Sequence, residues 1–377
     1  MYTDYDIRLF FLLRHNVHLS VSKLRRIKRK LGLRRNNIED TYEEIIPAIQ
    51  AILQNGYNDW GYKSIWRLLN VSVGIRATQE TVRRILNLLD PEGVELRARN
   101  CLRRRLYKNK GPGYMVHIDG YDKLKPFGFS IHGCVDGFSR KVLWLQVLRS
   151  NKNPYVVSKC YFDYLIRFQR LPKIIRCDGG TENVVICDVH AALRNSANGE
   201  SENLSVIVGR STNNQRIEMF WGLLKKGFTQ HWRNFFQDMQ DSGLLNMARE
   251  DDIEILRLWF TPVIQHHLDI FAENWNNHRI RSQRDSERFT GAVPDVLYYQ
   301  PERFGVKDCT LPLPFNDDDL LHLSTHFSVS EPRYMCTEEF FERFLRASRL
   351  DEENLEFPVD KKDALELYTH TKQIMTI

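Results

Sequence analysis

Between Tyr114 and Trp232 the hydrophobic period of the chain changes several times, and the order of those changes leaves few folds open. "YMVHID", "FSIHGCVDGF" and "KVLWLQVL" alternate as strands do, with successive side chains on opposite faces. "DGFSR" between the second and third is a turn sequence, so these two predict a hairpin. A helical run follows at 154–170, with Val157, Cys160, Tyr161, Tyr164, Leu165 and Phe168 on one side. Next come a strand at 173–180, a helix in "VVICDVHAAL", a strand at 204–210 and a long helix at 213–232. Three strands, then helix, strand, helix, strand, helix predict an α/β fold: a mixed five-stranded sheet with helices on both faces.

The chain before this stretch reads as helical and basic. Ser20 or Ser22 caps a helix in which Leu24, Ile27 and Leu31 share a face. A second helix covers 42–54. A third, at about 61–70, precedes a turn at Gly74, and Thr78 caps a fourth with Val82, Ile85, Leu86 and Leu89 inward. Arg83 and Arg84 face outward, which is the layout of a helix-turn-helix. "RARNCLRRRLYKNKGPG" then forms a basic linker carrying Arg103, Arg104 and Arg105. Residues 1–113 hold 22 Lys and Arg against 11 Asp and Glu, while the rest holds 32 against 37. This asymmetry, hidden in a net charge of +6, suggests a polyanion-binding module on a slightly acidic body.

Beyond 232 the pattern is mostly helical to about 278, followed by a polar connection at 275–298. The expected organisation is a basic helical DNA-binding region with its linker at 1–110, a catalytic region with trailing helices at 111–300, and a C-terminal region of unassigned role at 301–377. No apolar run approaches the ~18 residues that span a bilayer, and the N-terminus lacks the basic start of a secretory signal. Seven cysteines occur without a C-x-x-C pair, which predicts reduced thiols rather than a disulfide framework or a zinc site.

Three acids stand out by placement. Asp119 ends the first strand, Asp178 ends the fourth, and Glu218 lies about one turn into the last helix, at separations of 59 and 40 residues. Ligands of mixed α/β sheets gather outside strand ends. Carboxylates held ~4 Å apart repel strongly unless a cation is present. Oxygen ligands favour Mg²⁺ or Mn²⁺ over zinc. Phosphoryl transfer uses two such ions, one at the attacking and one at the leaving oxygen.

"HIDGY", "CVDGFSRKV", "IRCDGGTEN" and "GRSTNNQRIEMFWGLLKK" together resemble the motifs of the retroviral-integrase superfamily of DDE recombinases, which share an RNase H-like core. The likeness runs over roughly residues 20–300 and looks nearest to eukaryotic transposon-derived integrase core proteins. "GYKSIWRLL…TVRRIL" is similar to the helix-turn-helix that precedes the core in related transposases. The resemblance implies that Asp119, Asp178 and Glu218 are the metal-binding catalytic acids. It implies divalent-metal-dependent strand cleavage and strand transfer on transposon ends and a target duplex. It also implies a nuclear protein working as a dimer or larger. The two-His, two-Cys zinc module of retroviral integrases has no counterpart here, so DNA binding is expected without zinc.

Around the acids, Gln215, Lys225 and Lys226 are candidate DNA contacts on the Glu218 helix. Trp221 reads as core and His117 as a packing histidine. Asp136 reads as a turn residue and Asp122 as a bystander. Glu182 and Asn183 read as caps of the helix after Asp178. The alternatives are a domesticated DNA-binding or scaffold protein without catalysis and an RNase H-type nuclease.

Overall fold

The computed structural model describes residues 3–32, 39–57, 60–91, 93–94, 109–198, 204–280, 291–332 and 334–376. Five helices come first: α1 (Asp4–His15), α2 (Val21–Lys30), α3 (Tyr42–Ile52), α4 (Tyr62–Arg67) and α5 (Gln79–Leu89). Thr78 caps α5 by accepting from the Thr81 backbone N–H, and Gly74 closes the preceding turn at φ +82°. That φ lies in the left-handed region, where glycine carries no Cβ penalty.

The sheet follows as β1 (Met115–Tyr121), β2 (Ser130–Asp136), β3 (Val142–Leu148), β4 (Ile174–Asp178) and β5 (Val206–Gly209), in the spatial order β3-β2-β1-β4-β5. β1, β2 and β3 pair antiparallel, whereas β4 lies parallel to β1 and β5 parallel to β4. Asp136 makes the β2–β3 hairpin by accepting from the backbone N–H groups of Gly113, Phe138 and Ser139 and from the Ser139 hydroxyl. The parallel strands are joined through α6 (Pro154–Phe168) and α7 (Val184–Asn198). After β5 come α8 (Gln215–Leu224), α9 (Gln230–Asp241), α10 (Glu250–Asn277), α11 (Pro294–Tyr299), α12 (Asp317–Phe327), α13 (Glu338–Ser348) and α14 (Lys361–Thr376).

Strand alternation sorts the core into two layers. Val116, Ile118 and Cys134 face α6 and α7, where they meet Val157, Tyr161, Leu165 and Ile186. Ile131, Val135 and Val147 face the other way, into a larger cluster with Phe220 and Trp221 of α8, Trp232 and Phe236 of α9 and Phe260 of α10. Ile49, Ile65 and Val82 of the N-terminal helices and Tyr368 of α14 belong to that same cluster. β2 is buried at every position because both of its faces are covered.

Three differences from the sequence reading stand out. The helix expected at 213–232 is interrupted by a π-helical turn at Lys225–Thr229 and then continues as α9. The connection expected at 275–298 contains α11, with Pro294 at its first position and Leu297 and Tyr298 buried. The N-terminus forms α1, closed by a reciprocal Thr3–Asp6 capping box.

Candidate active site

The 59-residue separation of Asp119 and Asp178 is a sheet register. β1 and β4 pair Met115 with Ile174, Val116 with Ile175 and His117 with Arg176, each 59 apart. The same offset two residues further sets Asp119 beside Asp178 at the ends of two parallel strands. The two carboxylates therefore share one end of the sheet, outside the strand termini.

Asp119 is buried, and both of its oxygens are held. Its own Gly120 N–H donates to Oδ1 at 2.9 Å, and the Trp221 indole N–H donates to Oδ2 at 2.9 Å. Burial pushes this carboxyl up to about 7, the Trp221 hydrogen bond opposes that rise, and the charges of Asp178 and Glu218 add to it. The indole fits because Gly133, paired with Asp119 across β1–β2, has no side chain. A Cβ there would lie 2.7 Å from the Trp221 ring.

Helix α8 is sewn to β1 directly beside this carboxylate. Asn214, just before α8, donates from Nδ2 to the Ile118 carbonyl at 2.9 Å. Its Oδ1 then faces His117 Nδ1 at 2.6 Å, so this ring nitrogen donates the proton. Burial keeps His117 neutral, down to about 3. The stitch fixes the first turn of α8, which carries Glu218, against β1. Burial followed by the Asp178 charge raises the Glu218 carboxyl, and Lys123 counteracts the rise. Asp119 thus feels the charges of Asp178 and Glu218, while Glu218 itself stands outside the closest group of acid oxygens.

One ligand oxygen each from Asp119, Asp178 and Glu182 lie within 4.8 Å of one another. Glu182 reaches this group by folding back over Gly180, where a Cβ would meet Glu182 Oε2 at 2.3 Å. Asn183 is buried and pairs with His132 at 3.1 Å. An all-carboxylate set whose members repel one another suits a hard divalent cation, so the residues fit Mg²⁺ or Mn²⁺.

The remaining expected residues are scattered. Gln215 is half-buried at the start of α8, and Lys225 and Lys226 are exposed on the π-turn. Arg83 and Arg84 are exposed on α5 and both pair with Glu80 at 3.1 Å. Arg103, Arg104 and Arg105 lie outside the described residues. Asp122 pairs with Lys125 and Asn151, and Asp136 is taken up by the hairpin turn. Sequence reading missed the roles of Trp221 and Asn214 in holding the site. The available signal was their spacing of three and four residues from Glu218 on α8.

A family model described as "Integrase core domain" matches residues 106–292. No curated protein matches the chain.

Proposed function

Residues 106–292 form an integrase core domain of the retroviral-integrase-like DDE superfamily, and from that premise we propose that the chain is a divalent-metal-dependent DNA recombinase. The observation that carries this reading is the register that sets Asp119 beside Asp178, with Glu218 close enough for its charge to act on Asp119. The proposed reaction cuts a strand at a transposon end with water. The freed 3′-hydroxyl then attacks a target phosphodiester in line. Asp119, Asp178 and Glu218 are the proposed catalytic acids. Two Mg²⁺ or Mn²⁺ ions would relieve their mutual repulsion and stabilise charge on the attacking and leaving oxygens.

The chain's own contribution is positional. Trp221 and Gly120 fix the Asp119 carboxylate, and the Asn214 stitch sets the approach of α8. Gln215, Lys225 and Lys226 are the proposed contacts to the DNA backbone. Arg83, Arg84 and the Arg103–Arg105 run would supply further phosphate contacts from the basic N-terminal region. Joining two ends calls for at least two protomers, and a DNA substrate points to the nucleus in a eukaryotic cell.

The test is a strand-transfer assay with paired DNA ends and Mg²⁺. Wild type is expected to nick and join. Glu218→Gln is expected to lose both activities while retaining duplex binding in a mobility-shift assay. Joining by that variant would sink the assignment of Glu218. Tight duplex binding by wild type with no nicking or joining would favour a scaffold role instead.

A further inference from the structure

We propose that Glu182 is a ligand of the divalent ion held by Asp119 and Asp178, which makes the centre a four-acid site rather than a three-acid one. The inference rests on reading this centre as metal-dependent, a reading grounded in the integrase core and in the pairing of β1 with β4. What it adds is the identity of a further carboxylate.

Glu182 brings an oxygen within 4.8 Å of those of Asp119 and Asp178. It lies on a short 3₁₀ turn, Thr181–Asn183, immediately after β4. An exposed glutamate on a turn ordinarily extends into water, where its charge is solvated. This one is half-buried and folds back over Gly180, whose missing side chain leaves the space it occupies. The Gly180 backbone N–H meanwhile donates to Asp178 Oδ1 at 3.2 Å. One glycine therefore both steadies Asp178 and admits Glu182.

The turn is also anchored from below. The Trp144 indole N–H donates to His132 Nδ1 at 3.1 Å, so that nitrogen is the acceptor and the proton sits on Nε2. His132 Nε2 then donates to Asn183 Oδ1 at 3.1 Å. Both His132 and Asn183 are fully buried, and His132 pairs with Gly120 in the β1–β2 ladder, next to Asp119. The chain Trp144–His132–Asn183 fixes the residue after Glu182 to the strand beside the one bearing Asp119. A supported carboxylate of this kind is what a preorganised metal ligand requires.

The experiment is Mn²⁺ binding to the full chain, read as the loss of the free-ion electron paramagnetic resonance signal. Wild type, Glu182→Gln, Glu182→Asp, Glu218→Gln and Asp119→Asn are compared, with circular dichroism melts to confirm that each is folded. Glu182→Gln is expected to weaken Mn²⁺ binding on the order of tenfold or more, with Glu182→Asp restoring part of it. Wild-type affinity in folded Glu182→Gln, alongside loss in Asp119→Asn, overturns the role of Glu182 and leaves the metal centre standing. Equal binding by wild type and Asp119→Asn, or no binding by wild type, overturns the metal centre itself and the Glu182 role with it.

Discussion

At the scale of single residues, the site depends on side chains that hold its acids in place. Trp221 donates to the inner oxygen of Asp119, and its ring lies over Gly133 and 4.9 Å from the Tyr121 ring. A partner of this kind orients a metal-binding carboxylate, and losing one typically lowers metal affinity or activity about 10–100-fold. Trp221→Phe keeps a buried aromatic ring but deletes the N–H. It is therefore expected to reduce Mn²⁺ affinity by about that factor, while costing far less stability than removing the ring altogether. Mn²⁺ titration beside thermal unfolding checks this, and unchanged affinity in a folded variant would show that Asp119 needs no donor at Oδ2. Asp119 and Asp178 were legible in the sequence because each closes a recognisable strand inside a family-like motif, "HIDGY" and "IRCDGGTEN", whereas the register that pairs them across 59 residues belongs to the fold. Glu182 was not, because its placement depends on curling over Gly180 and on an anchor that runs through His132 to Trp144. Those residues lie on other strands, and no local pattern connects them.

At the scale of elements, the five strands and the helices between them follow from period and punctuation. Thr78 and Gly74 mark the start of α5 and the turn before it as their residue types predict. The π-turn at Lys225–Thr229 did not follow, because a tertiary contact accompanies it. The Trp60 indole donates to the Gly227 carbonyl at 2.6 Å, and a Cβ on Gly227 would stand 2.7 Å from that indole nitrogen. The helical sequence on either side gives no sign of it. The proposed DNA contact of α5 is an element-scale matter as well. Arg83 and Arg84 are exposed and share Glu80, an arrangement worth little to stability. Replacing both with Ala should leave the melting temperature nearly unchanged. It should also make the salt dependence of duplex binding shallower by about two phosphate equivalents. Fluorescence anisotropy across a salt series measures the slope, and an unaltered slope would remove α5 from the DNA interface.

At the scale of the whole molecule, the junctions between elements are filled by neutral histidines. His117 joins β1 to the start of α8, and His132 joins β2 to the turn after β4. His190 of α7 meets the Tyr161 hydroxyl of α6. His231 of α9 lies against Gly56 and Lys361, which ties the N-terminal helices to α9 and α14. His267 of α10 packs on Tyr57 and Trp232, and His278 follows α10 against Trp275. Burial is the leading cause that depresses all six, to about 3 for His117 and His190 and about 4 for His132, His231, His267 and His278. In the unfolded chain a histidine titrates near 6.5. Between roughly pH 4 and 6.5 the unfolded state therefore binds protons that the folded state refuses, and stability falls as pH falls. Asp119 works in the opposite sense, because its raised carboxyl binds a proton in the fold up to about pH 7. Burial also raises Glu218, Asp136, Asp269 and Glu331, which act in the same sense as Asp119, but the six histidines outnumber them and set the trend between pH 5.5 and 6.5. The expected outcome is a marked loss of urea-unfolding stability between pH 7 and pH 5.5, with net proton uptake on unfolding at pH 5.5. Carboxylates alone would place the onset nearer pH 4. A flat profile down to pH 5 would mean that these junctions open readily enough to admit the proton. The tight packing of the N-terminal helices and α14 around the five-stranded sheet would then not describe the molecule in solution.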